Sequence, residues 1–210
     1  MTMSTAHGSL PVVNSGGEPQ ARIVGHVLGR GFSVLVMPDS TAAMEGRSQS
    51  ECRLVMHPHP IHIPRAIAWL ITNTAGMLPE HQQLRVHGAL CELLCNAVEH
   101  GTLAISSRTK QQALAEGWYD EVLRQRLIDP CYKDRQVTVQ VCQEWDAKRV
   151  TYRITDEGTG FMWRRLLTHS PHTGNPRAVN GRGIFLARRL FPSLTYNERG
   201  NEAIITVSLA

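Results

Sequence analysis

Three short groups of residues have types and spacings that could do chemistry. Glu92, Asn96 and His100 recur at i, i+4 and i+8 in a stretch of helical periodicity. That spacing brings all three to one face. A carboxylate and an amide so placed can face one ligand together. The amide oxygen suits a hard cation such as Mg²⁺, which keeps most of its waters and binds phosphates. The carboxylate could orient or deprotonate a nucleophile. The plainer reading is a solvated polar helix face. The second group is Asp156-Glu157-Gly158-Thr159-Gly160-Phe161, directly after an alternating strand. An Asp at a strand end can accept from an amino group such as that of adenine, and the paired glycines permit close approach. Alternatively, the Asp and the glycines simply build a turn. The third group is Asn180-Gly181-Arg182-Gly183-Ile184-Phe185-Leu186, which opens a helix. Free N–H groups at a helix start favour anions, and Arg182 adds charge; a glycine-rich packing turn is the plain alternative. No P-loop and no dinucleotide fingerprint occurs.

Other chemistry-bearing residues carry less. His57, His59 and His62 alternate with prolines and lack a flanking Cys or acid cluster, so a loop is favoured over a metal site. Cys91 and Cys95 read as small core residues beside Glu92 and Asn96, ahead of a redox switch. Trp118 and Tyr119 read as the coat of a helix, with partner binding by that face as the second reading.

The elements that must position these groups follow from periodicity. Residues 1–20 are small and polar and read as a tail. Val24, Val27, Phe32, Val34 and Val36 suggest a β-hairpin, and 39–50 a linker. Cys52 to Met56 suggests a strand. Helices are predicted over 61–77, 80–100 and 106–128. In the second the apolar stripe is Leu84, Leu90, Leu94, Ala97 and Val98, with Val86 and Leu93 beside it and Gly101 as its stop. In the third Leu114, Trp118, Val122, Leu123 and Leu127 share a side, and Gly117 marks a break. Val137, Val139 and Val141, then Val150, Tyr152 and Ile154, alternate as strands. Residues 162–180 are irregular, a helix follows at 183–191, and 194–197 with 202–209 form a closing hairpin. Helices first and adjacent strands later favour an α+β fold, two layers, with helices on one face of a mostly antiparallel, mixed sheet.

Composition excludes several classes. The 210 residues are 42% hydrophobic and 19% charged, as expected of a folded globule. The net charge of +4 is mild and spread along the chain, and does not point to nucleic acid. No apolar run is long enough for a spanning helix, and residues 1–17 do not resemble a secretory signal. Five cysteines without Cys-x-x-Cys spacing fit neither a disulfide framework nor a zinc site. A cytoplasmic, reduced protein without membrane partners is the expectation.

In their order and separation the three groups resemble the ATP-binding domain shared by gyrase-type topoisomerases, heat-shock chaperones, histidine kinases and MutL proteins. This is the GHKL superfamily, with its Bergerat-type fold. Within it the sequence most resembles the small anti-sigma-factor serine/threonine kinases of bacterial partner-switching systems. The resemblance rests on Glu92 to Gly101, Asp156 to Phe161 and Gly181 to Leu186, with Tyr196 to Glu202 like the closing hairpin. It covers about 51–210. It implies that Asn96 holds Mg²⁺ against the phosphates of ATP and that Glu92 is the general base. His100, Asp156, Gly158, Gly160, Phe161, Gly181, Arg182, Gly183 and Ile184 would form the nucleotide site, with Asp156 on the adenine amino group. Residues 162–180 would be a lid. The implied partners are a small STAS-like antagonist, a sigma factor and a second copy of the chain. A nucleotide-gated binding module without phosphotransfer is the alternative. A histidine-kinase catalytic domain uses the same motifs, but 1–50 reads as strand and loop and not as the helical hairpin that carries a phospho-accepting histidine. The segments 1–50 and 102–135 are surplus to the minimal domain, and both are expected to stand apart from the ATP site.

Overall fold

The computed structural model describes residues 24–27, 32–37, 49–164 and 182–209, with the backbone alone for 24–27, 32–37 and 182. The expected two-layer α+β arrangement is present. Strands β1 (Val24–Val27), β2 (Phe32–Met37), β3 (Gln49–Met56), β4 (Val137–Glu144), β5 (Arg149–Asp156), β6 (Thr195–Tyr196) and β7 (Glu202–Ser208) form one sheet. Its order is β1-β2-β3-β4-β5-β7-β6. Every described pairing is antiparallel, with no parallel pair among these strands.

Alternation in sequence becomes one buried face. Leu54, Val139, Ile154 and Ala203 lie side by side across four strands. All four are buried. Cys52, Val141, Tyr152 and Ile205 make a parallel row. The Tyr152 hydroxyl hydrogen-bonds Thr74 Oγ1 at 2.7 Å, so the one polar tip in that row is satisfied. The opposite face is polar, and there Arg153 pairs with Glu202.

The helical layer covers the buried face. Helix α1 (Ile63–Leu70) continues into a π-helical turn, Ile71–Ala75. Helix α2 (Glu80–Cys95) likewise passes into a π-helical stretch, Asn96–Thr102. Helix α3 (Ser107–Glu116) and helix α4 (Tyr119–Ile128) follow, and helix α5 (Arg182–Leu190) packs on α2. Ser106 caps α3 by accepting from Thr109 N–H at 3.0 Å. Gly117 ends it at φ 80°, in the left-handed region, which is the break that the sequence suggested.

Two apolar assignments are corrected. Leu84 does not join the α2 stripe, for it is 65% exposed, whereas Leu90 and Leu94 face the core as expected, with Val86 and Leu93 beside them and Ala89 added. Leu114 is also exposed, and Ala113 is the buried contact of α3. The rest of both stripes is buried or partly buried as read from the sequence; at Leu84 and Leu114 the facing angle is set by docking and not by side-chain size. The predicted stop at Gly101 is also displaced. The helical run continues to Thr102, and the left-handed residue is Ala104, at φ 50°.

No described helix is long and apolar enough to cross a membrane.

Candidate functional site

The polar face of α2 and the end of β5 converge on one cavity of about 740 Å³. That volume suits a nucleotide-sized ligand. Glu92, Asn96 and His100 line it from the helical layer, and Asp156, Gly160 and Phe161 from the sheet side. Gly183 and Ile184 of α5 close a further wall.

Asn96 opens the π-helical stretch, a local widening often found at functional sites. Its Nδ2 is buried and has no hydrogen-bond partner among the described residues. A buried amide left uncommitted in a cavity calls for an explanation, and a ligand supplies one. Gly183 lies against this amide and its neighbour. A Cβ there would stand 2.2 Å from Glu92 Oε2 and 3.6 Å from Asn96 Nδ2. Glycine lets the start of α5 approach both groups without displacing the Glu92 carboxylate. His100 is fixed by donating from Nδ1 to the Ile105 carbonyl at 2.5 Å.

Asp156 is held from several directions. Its Oδ1 accepts the Gly158 N–H at 2.8 Å. Its backbone N–H donates to the Asn201 carbonyl at 3.0 Å, and Asn201 Nδ2 returns a bond to the Asp156 carbonyl at 2.8 Å. Gly101 and Gly158 cradle the carboxylate. A Cβ on Gly101 would lie 2.4 Å from Asp156 Cγ, and one on Gly158 2.7 Å from Oδ1. Gly101 therefore serves the carboxylate across the layer rather than ending the helix. Gly158 backs Asp156 and does not itself line the cavity. Burial pushes the Asp156 carboxyl up to about 6, against the opposing pull of the Gly158 N–H and the Arg199 and Arg135 charges.

Phe161 meets Tyr196 edge-on at 5.3 Å, and Trp163 leans on Tyr196 at 5.8 Å while donating to the Asn197 carbonyl. Gly160 (φ 78°) and Gly200 (φ 81°) let the Phe161 turn and the β6–β7 turn interlock, since a Cβ on either would strike the other's backbone. Gly181 and residues 165–180 of the expected lid lie outside the described residues, and so does the side chain of Arg182.

One expectation is overturned. The insert does not stand apart from the site, because Ser106, Ser107, Lys110, Gln111 and Leu114 of the α3 region line the same cavity. Leu114 is exposed for this reason: it faces the cavity. Tyr119 is not a surface coat either, since its hydroxyl donates to buried Glu99 at 2.5 Å. Sequence reasoning also missed Tyr196 and Asn201 as parts of the site. Their only signal was the closing-hairpin motif in which they sit.

No group of three or more His, Cys, Asp or Glu side chains gathers to hold a metal among the described residues. The cysteines are free. Burial and neighbouring Cys91 push the Cys95 thiol up to about 12, which disfavours a reactive thiolate.

An antiparallel sheet layered with helices around a carboxylate-and-amide cavity is consistent with the fold of the histidine kinase-like ATPases. The comparison with known families agrees. Residues 125–208 match the model of the histidine kinase-like ATPase domain. This stretch is less than half of the chain. It runs from the last turn of α4 to β7, including Asp156, Gly160 and Gly183, and supports an ATP-binding module of that superfamily. Helix α2, with Glu92 and Asn96, lies before the matched residues but faces the same cavity. No curated protein matches the chain.

Proposed function

We propose that this chain binds Mg-ATP and acts as a protein-serine kinase of the anti-sigma-factor type. Its substrate would be a hydroxyl on a small antagonist domain. The observation that carries the reading is the buried, unpartnered Asn96 amide beside Glu92, in one cavity with Asp156.

The residues present fit the implied metal. Asn96 offers a hard oxygen donor in its Oδ1, and so few protein ligands suit Mg²⁺, which takes the rest from water and phosphate. When bound, Mg²⁺ supplies charge neutralisation at the phosphates. The chain's own residues do the remainder. Asp156, held by Gly158 and Asn201, accepts from the adenine amino group when ionised. Asn96 holds the phosphate end. Glu92 accepts the proton of the attacking hydroxyl. The start of α5, admitted by Gly183, presents backbone N–H groups to anionic oxygens. Phosphoryl transfer needs little beyond such positioning and charge stabilisation.

The test is incubation of the full chain with Mg-ATP labelled on the γ-phosphate and its antagonist partner. Label on a partner serine is expected. Normal nucleotide affinity without transfer would reject the kinase role. It would favour the second reading, a nucleotide-gated binding module, which the contact of α3 with the cavity supports.

A further inference from the structure

The cavity is lined by two carboxylates, Glu92 and Asp156. A polyphosphate would add several more negative charges. Among the described residues only one lysine or arginine side chain lines this space, Lys110, and it comes from the insert.

Lys110 is held in place. Its Nζ is ion-paired with Glu99 Oε2, and the Tyr119 hydroxyl occupies Oε1. Glu99 is buried, with 7% of its side chain exposed, whereas Lys110 keeps 30%. An ammonium has three donors, and one is spent on Glu99. Glu99 itself does not line the cavity, whereas Lys110 lines it together with Asn96. The tether therefore anchors the Lys110 stem outside the cavity while the side chain borders the same space as the unpartnered Asn96 amide.

Resting on the ATP-binding reading, we infer that Lys110 is a phosphate-binding residue of the nucleotide site, with Glu99 and Tyr119 as its positioning residues. The insert helix α3 is then a working wall of the site. A pairing made only to neutralise Glu99 would need no exposure to the cavity.

The experiment compares ATP and adenosine binding to the full chain by calorimetry in Mg²⁺. Adenosine occupies the base end without the phosphates. Lys110→Met leaves Glu99 a buried, uncompensated charge, so the double variant Glu99→Gln/Lys110→Met is measured beside it. Loss of a charge-assisted hydrogen bond predicts an ATP affinity lower by about tenfold or more in both. Adenosine affinity should stay within about twofold, and Lys110→Arg should restore part of the ATP affinity. Unchanged ATP affinity, or an equal loss for ATP and adenosine, would overturn the inference while leaving ATP binding intact. A wild-type chain that binds neither ligand would remove the proposed function and this inference together.

Discussion

Burial of Asp156 costs stability, a cost that its proposed contact with adenine would explain, and the trade can be measured. Burial moves its carboxyl from 3.8 to about 6. That disfavours the ionised form in the folded chain by about 3 kcal/mol. Between those two values the folded state binds more protons than the unfolded one. The carboxyl's contribution is therefore present in acid and lost as pH rises through about 6. Asp156→Asn cannot ionise, and its Oδ1 can still accept the Gly158 N–H. The variant should be more stable than wild type by about 1–3 kcal/mol near pH 7.5, with the gap closing toward pH 4. Urea unfolding of both proteins across this range measures the gap directly. Nucleotide binding should move the other way. With Oδ1 engaged, the Asn turns its Nδ2 to the cavity, and donor then faces donor at the adenine amino group. A stability gap that is flat with pH, or a variant less stable throughout, would refute the burial argument. Undiminished ATP affinity would refute the adenine assignment.

Gly101→Ala puts a Cβ 2.4 Å from Asp156 Cγ. Unfolding should become easier by about 1–3 kcal/mol, and ATP affinity should fall with it, read by urea unfolding and calorimetry. Glu92→Gln keeps the shape of the cavity wall and removes the base. Transfer to the partner serine should drop by roughly 10²–10⁴-fold while ATP affinity holds within about twofold, as checked by the labelled-phosphate assay and a binding titration.

The strands were legible because each buries one face, so period-two alternation at Val137, Val139 and Val141 or Val150, Tyr152 and Ile154 carries the signal by itself. Gly117 was legible because a left-handed turn asks for glycine. Leu84 and Leu114 were misread because helical spacing leaves the facing angle to tertiary docking. Gly101 was seen but explained wrongly, since its constraint comes from Asp156, far away in sequence. The α2 triad could be placed on one cavity because four-residue spacing is local. Lys110 could not, because its place depends on how α3 folds back over Glu99, and no local pattern encodes that. The insert therefore looked like surplus length although it builds part of the wall.

The central claim is that Asn96, Glu92 and Asp156 surround the nucleotide. Titrating Mg-ATP into the wild-type chain and into Asn96→Ala by calorimetry tests it most directly. The account predicts saturable, Mg²⁺-dependent binding at one site, weakened by about tenfold or more in the variant. Equal affinity in both chains, or no binding to the wild type, would contradict it.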